Sequence, residues 1–193
     1  MSKVVHVIMA MMRLLRRNLG FLLLLGLMVV GIHLWQTWSV QSGQMPSSLL
    51  QLRSEFIDRD GRIREMTLEQ AIAEIRQSAP GSPVAVHVWA EWCSICKLEE
   101  HSVSRLAQDT PVLTIAMQSG SSESVLAVMR ERGLQWPVWV DPQGQLSTVL
   151  GLRAVPAFFV IRQDGVVRLP AVGYTTELGM RMRLLLANAN DSH

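Results

Sequence analysis

Val84 to Glu100 reads VAVHVWAEWCSICKLEE, a near-continuous apolar run to Trp89 followed by Trp92-Cys93-Ser94-Ile95-Cys96. The apolar run suits a strand buried on both faces of a sheet. From Cys93 the spacing turns helical through Leu98, Val103 and Leu106. A cysteine where strand passes into helix lies at a helix N-terminus, which favours negative charge and hence the thiolate. Cys93 and Cys96 are the only cysteines of the chain. Their spacing is close to one helical turn, so the sulfurs can bond with little backbone movement. The same spacing can serve a metal, but a structural zinc site takes four ligands and only His87 and His101 lie nearby. Two inert buried thiols are a further alternative, opposed by Trp92 before the pair and the helix after it.

Outward from this stretch the chain alternates. On the N-terminal side, Asp60-Gly61 marks a turn between short apolar pieces. Thr67-Leu68-Glu69-Gln70 predicts a helix start, with Thr67 as cap and Gln70 at the capping-box position. That helix stops at Ala79-Pro80-Gly81. On the C-terminal side, Val112–Ala116 predicts a second buried strand. Ser121 caps a helix that Gly133 ends. Val138–Val140 and Ala157–Ile161 predict further strands, the latter joined through Gln163-Asp164-Gly165 to Val166–Arg168 as a hairpin. Thr175 or Thr176 opens a last helix running towards Ala189. Strands alternating with helices imply an α/β fold, with parallel pairing and helices on the faces of the sheet.

The N-terminal part is of another kind. No charged side chain occurs from Asn18 to Leu52, and the apolar core of that stretch, Leu19 to Trp38, has the length of a membrane-spanning helix. Arg13, Arg16 and Arg17 precede it and Trp35 and Trp38 close it, which predicts a cytoplasmic N-terminus and an exported C-terminal domain. A cleaved signal peptide is the competing reading, opposed by the long apolar run and the lack of a small-x-small cleavage site after Gly31. The expected organisation is a cytoplasmic segment at 1–17, a transmembrane anchor at 18–38, a linker at 39–53 and a globular domain at 54–193. Of the 18 Lys and Arg residues four precede the span, which leaves 14 against 16 acidic residues, a net −2. No basic face with interleaved aromatics is present, so nucleic acid is not an expected partner. The 11 Met residues fall in the apolar N-terminus or at core-like spacing, which points to packing rather than to copper.

Val88-Trp89-Ala90-Glu91-Trp92-Cys93-Ser94-Ile95-Cys96-Lys97 resembles the thioredoxin active-site pattern, and Ala154-Val155-Pro156-Ala157 resembles that family's cis-proline loop. Trp136 to Gly144, and Glu99 placed as in Cys-x-x-Cys-x-x-Glu, are similar to the membrane-anchored TlpA-like, ResA-like and ScsD-like branch. The resemblance covers about Val84 to Ala189. It implies a thioredoxin-like α/β fold, with a central mixed sheet flanked by helices behind an N-terminal transmembrane helix. It also implies Cys93 as attacking and Cys96 as resolving cysteine, a redox disulfide between them, and Trp92, Val155 and Pro156 at the substrate. His87 stands where thioredoxins keep a buried acid. It either relays a proton for Cys96 or is a satisfied core histidine. Glu99 is either a proton acceptor or a solvated helix residue.

The function this implies is a thiol-disulfide oxidoreductase on the periplasmic side of a bacterial inner membrane, reducing cysteine-containing proteins such as cytochrome c apoproteins or copper-stress targets. A transmembrane thiol donor of the DsbD or CcdA type would resupply it, and neither cofactor nor metal is expected beyond the cysteine pair. An oxidase or isomerase would use the same residues, and a non-catalytic metal-binding or docking module would use the same scaffold.

Overall fold

A computed structural model describes residues 18–21, 23–28, 31 and 42–189. The chain divides into two compact units, Met1–Trp38 and Ser39–His193. The described residues of the first are helical and exposed. Of the expected span at 18–38, residues 22, 29–30 and 32–38 lie outside the described residues, and among those described no helix is long and apolar enough to cross a membrane. The segment 1–17 lies wholly outside them.

The second unit is built on one eight-stranded mixed sheet. Its strands are β1 (Gly43–Gln44), β2 (Arg53–Ile57), β3 (Ile63–Thr67), β4 (Val84–Trp89), β5 (Val112–Met117), β6 (Val138–Asp141), β7 (Ala157–Ile161) and β8 (Val166–Val172). They lie in the order β1-β8-β7-β4-β5-β6-β2-β3. β4, β5 and β6 run parallel, and β7 lies antiparallel to β4. Every residue of β4 and β5 is buried, as the apolar runs predict for strands covered on both faces. Among the described residues the unit has six helices: α1 (Ser47–Leu50), α2 (Leu68–Gln77), α3 (Ser94–Asp109), α4 (Ser122–Arg132), α5 (Gln145–Val149) and α6 (Glu177–Ala189).

Side-chain alternation along β4 divides the core. Val84, Val86 and Val88 join the cluster that holds Leu49 of α1, Leu68, Ala71, Ile72 and Ile75 of α2, and Leu146 of α5. Ala85 and Trp89 face the other way, among Cys96, Val103 and Leu106 of α3, Val125 and Met129 of α4, and Met180 and Leu184 of α6. His87 shares the parity of Ala85 and Trp89, so it belongs to the face that carries the cysteines.

Local chemistry sets the helix boundaries. The Thr67 capping box is complete, with Gln70 N–H donating to Thr67 Oγ1 and Thr67 N–H to Gln70 Oε1. The Ser121 hydroxyl accepts from Ser124 N–H, and Gly133 closes α4 at φ 66°, a left-handed conformation that suits a residue without Cβ. Thr176 takes the start of α6, its hydroxyl accepting from Gly179 N–H.

Two expectations are corrected. The described part of the expected linker at 39–53 is ordered structure: β1 pairs with β8, and Met45 and Leu49 are 5% and 3% exposed in the core. The uncovered edge of β8 and an apolar hollow beside α2 outweigh the local Gly/Pro/Ser signal, so the globular unit begins before residue 54. Leu98, counted towards the apolar face of α3, is 69% exposed. The buried face runs through Cys96, Glu99, Val103, Leu106 and Ala107, a register hidden in the sequence because an ionisable residue occupies one of its core positions. The short helix α5 is also an addition. The buried Asp141 carboxylate accepts N–H groups from Leu146 and Ser147 and the Ser147 hydroxyl at its start.

Candidate active site

Parallel pairing places the C-terminal ends of β4 and β5 at the same edge of the sheet, with Trp89 opposite Ala116. At that edge Cys93 N–H donates to Ala90 O (3.2 Å), a turn that ends β4 and admits α3. Cys93 is the N-cap of α3, and its Sγ accepts Cys96 N–H at 3.1 Å. Cys93 and Cys96 form a disulfide across a Cα separation of 5.3 Å. Cys93 is the more accessible, at 6% against 2%. On reduction the Cys93 thiolate would keep a backbone donor and the positive end of the helix, whereas Cys96 lies under the first turn.

Pro156 follows a cis Val155–Pro156 bond. β7 is antiparallel to β4 with Ala157 opposite Val88, so the residue before Ala157 lies beside the end of β4, where the cysteine turn begins. Pro156 O accepts Gly173 N–H at 2.8 Å, which ties this loop to the end of β8. Val155 packs against the cluster that contains both cysteines. The structure therefore brings Val155 and Pro156 to the cysteine pair.

Trp92 is 58% exposed, and its Nε1–H donates to Gln118 O at 3.0 Å. Glu91 N–H donates to Ser119 Oγ at 3.0 Å. Gln118 adopts φ 48°, an uncommon conformation for a residue with Cβ. Gln118 and Ser119 thus hold the cysteine turn from the end of β5, a role that the sequence carries only as a polar break after a strand. Ile95 and Leu98 are exposed on the first turns of α3, and Lys97 and His101 are exposed as well. Among the described residues no group of three or more His, Cys, Asp or Glu is placed to hold a metal.

Glu99 and His87 meet inside the domain. Both side chains are 1% exposed, and Glu99 Oε2 lies 3.6 Å from His87 Nδ1. Cys96 and Glu99 are three residues apart on α3, hence neighbours on one helix face. Glu99 Oε1 accepts Thr175 N–H from the loop before α6. Burial pushes the Glu99 carboxyl up to about 7, against the opposing effect of that N–H, and burial lowers His87 to about 3. The solvated reading of Glu99 is therefore wrong. The satisfied-histidine reading of His87 is also corrected, because the ring is buried and neither nitrogen has a hydrogen-bond partner. Trp136 sets its ring edge-on to both His87 (6.1 Å) and Trp89 (5.9 Å). Thr175 and Trp136 complete this interior site. Sequence reading placed Thr175 only as a possible opener of the last helix and Trp136 only as the start of a stretch that resembles the TlpA-like branch.

Residues 64–169 match the model of the AhpC/TSA family. A stretch of 94 residues is 28% identical to the "Probable thiol:disulfide interchange protein DsbE-2" of Pasteurella multocida, covering 48% of this chain and 50% of that protein. The chain thus spans half the length of that relative. The thiol:disulfide interchange protein DsbE of Pseudomonas aeruginosa is 23% identical over 158 residues, 81% of this chain and 85% of that protein. Among solved structures, the exposed lipoprotein thioredoxin of Streptococcus pneumoniae superposes with a TM-score of 0.54 at 23% identity, covering 70% of this chain and 99% of that one. This last likeness is one of fold, the thioredoxin-like mixed sheet. Both curated relatives are named for thiol-disulfide interchange.

Proposed function

The chain belongs to the AhpC/TSA family, and we propose that it is a thiol-disulfide oxidoreductase acting as a membrane-tethered reductant of protein disulfides. The observation that carries this reading is the asymmetry of the pair: Cys93 at the N-cap with Cys96 N–H on its sulfur, Cys96 buried beneath it. In the reduced protein the Cys93 thiolate attacks one sulfur of a target disulfide. That bond breaks, a mixed disulfide forms, and one target thiolate leaves. Cys96 gives its proton to the Glu99 carboxylate and attacks the Cys93 sulfur, which releases the second target thiolate and leaves the Cys93–Cys96 disulfide. Two electrons pass to the target. A dithiol donor, of the transmembrane DsbD or CcdA type, restores the pair, so no bound cofactor is needed.

Trp92, Val155 and Pro156 receive the target chain in this scheme, beside the exposed Ile95. The basic residues before an uncharged run support a tether at 18–38 with the catalytic domain in the periplasm. Targets would be oxidised cysteines of exported proteins, cytochrome c apoproteins and copper-stress proteins among them.

A Cys96→Ser variant tests the chemistry. It should accumulate mixed disulfides through Cys93 in vivo, whereas loss of a bound metal without trapped partners would assign the site to metal binding. Direction is tested by equilibrium with glutathione: a potential near the DsbA value of roughly −120 mV would make the protein an oxidant.

A further inference from the structure

His87 is a buried imidazole whose two nitrogens have no hydrogen-bond partner, beside a buried carboxyl with one oxygen free to turn towards it. At 3.6 Å the Nδ1–Oε2 contact is longer than a hydrogen bond, and a small rotation of either side chain closes it. The surroundings offer His87 little else. On β5 the residue opposite is Thr114, whose hydroxyl donates to Pro137 O at 3.1 Å and makes no hydrogen bond with His87. On β7 it is Phe158, and Trp136 presents a ring edge. α6 contributes Met180 and Leu184 to the same cluster, and its charged Glu177 is bonded to Arg105 of α3. Among the described residues the fully buried ionisable side chains other than the cysteines are His87, Glu99 and Asp141. Asp141 is occupied by the start of α5. Glu99 is therefore the hydrogen-bond partner within reach of His87.

We infer that His87 is a positioning residue that follows the ionisation of Glu99 by exchanging tautomers. With Glu99 protonated, His87 carries its proton on Nε2 and Nδ1 accepts a hydrogen bond from Oε2–H. With Glu99 ionised, Nδ1 carries the proton and donates to the carboxylate. Between the two states the pair loses one proton to solvent, the remaining proton standing on Nδ1 in place of Nε2, and the imidazole is neutral in both. When Cys96 supplies the proton, the Cys96 thiol, the Glu99 carboxylate and the Nδ1–H imidazole become the thiolate, the carboxylic acid and the Nε2–H imidazole, with no proton gained or lost overall. A histidine can serve both states because each ring nitrogen is a donor or an acceptor according to tautomer. A leucine or phenylalanine can serve neither, and would leave a buried carboxylate with the Thr175 N–H alone. Burial that disfavours the imidazolium is what keeps this exchange neutral. The inference rests on the reading of Glu99 as proton acceptor for Cys96.

The test is nitrogen NMR of the full chain labelled with nitrogen-15 histidine, with the His87 signals among the five histidines identified by their absence in His87→Asn. As pH passes through the range near 7 where Glu99 titrates, Nδ1 should move from the unprotonated to the protonated position and Nε2 the opposite way. In Glu99→Gln neither should move. Constant shifts, or both nitrogens protonated together on the acidic side of that range, would overturn the inference. A second readout is the pH profile of the Cys96-dependent release step, which should shift in His87→Phe and return in His87→Asn, whose amide both donates and accepts. An equal shift in both variants would reduce His87 to a packing residue. Failure here with Cys96→Ser trapping intact refutes the tautomer exchange alone, whereas absence of trapped partners refutes the proposed function.

Discussion

Between about pH 4.5 and 6.5 two buried groups push the stability of this domain in opposite directions, and removing either one uncovers the other. His87 is lowered from 6.5 to about 3. Below pH 6.5 the unfolded chain binds a proton there that the native chain refuses, so this contribution is complete above 6.5 and is lost as pH falls towards 3. Glu99 is raised from 4.5 to about 7. Above pH 4.5 the native chain keeps a proton that the unfolded chain releases, so its contribution is complete below 4.5 and is lost as pH rises through 7. Each slope is about 1.4 kcal/mol per pH unit, so over the two-unit window each amounts to about 3 kcal/mol and the two nearly cancel.

Glu99→Gln leaves the His87 slope alone. Relative to wild type, this variant should gain about 3 kcal/mol between pH 4.5 and 6.5. His87→Asn leaves the Glu99 slope and should lose about as much over the same window. With a urea dependence of roughly 2 kcal/mol per molar, the midpoint of each variant should move by about 1.5 M relative to wild type across the window, in opposite directions. The measurement is urea unfolding of the oxidised full chain, followed by tryptophan fluorescence. Surface carboxylates such as Asp109 and Glu177, held low by hydrogen bonds from arginines, are common to all three proteins and drop out of the difference. The constant penalty of each substitution drops out too, because only slopes are compared. Three parallel profiles would refute the claim that burial shifts these two groups.

Further outcomes follow from single contacts. Leu49→Ala should destabilise the domain by about 2 to 5 kcal/mol, since Leu49 is buried against the sheet; a free linker predicts no change in the thermal midpoint. Thr67→Ala should cost about 1 kcal/mol through the lost capping box and leave the redox potential unaltered, a pair of results readable by melting and by glutathione equilibrium. Trp92→Ala should change stability by no more than about 1 kcal/mol, because the ring is exposed and gives up one hydrogen bond. It should nevertheless lower kcat/KM on a disulfide-bonded protein by roughly tenfold through the lost aromatic contact, measured against a small disulfide as control.

The order of elements from Asp60 to the last helix could be read from residues because each is specified locally. Buried strands are runs of β-branched side chains, Thr67 and Ser121 are helix caps, Gly133 is a stop, and Cys93 to Cys96 is one turn of helix. The proposed attacking and resolving roles rest on that turn and on the family resemblance, and Pro156 was singled out by likeness to a known loop. The segment from Gly43 to Leu50 was misread for the opposite reason. Its glycine, proline and serines are what a linker has, and its order depends on the free edge of β8 and on the space beside α2, which lie more than a hundred residues and some twenty residues away in the chain.

The interior of the site belongs to the same class. Glu99 beside Glu100 gives no local sign of which faces inward; the register of α3 on the sheet buries one and sets the other in an ion pair with Arg132. His87 lies in an apolar strand, yet which face it takes, and that Glu99, Thr175 and Trp136 meet it there, depends on pairing among β4, α3, the loop before α6 and the loop before β6. Short-range chemistry therefore determined the cysteine pair and the succession of strands and helices, since backbone geometry over one turn or one strand is enough to state it. The buried Glu99–His87 pair behind the cysteines was decided by packing, because burial and partnership are properties of surfaces that segments distant in the chain bring together.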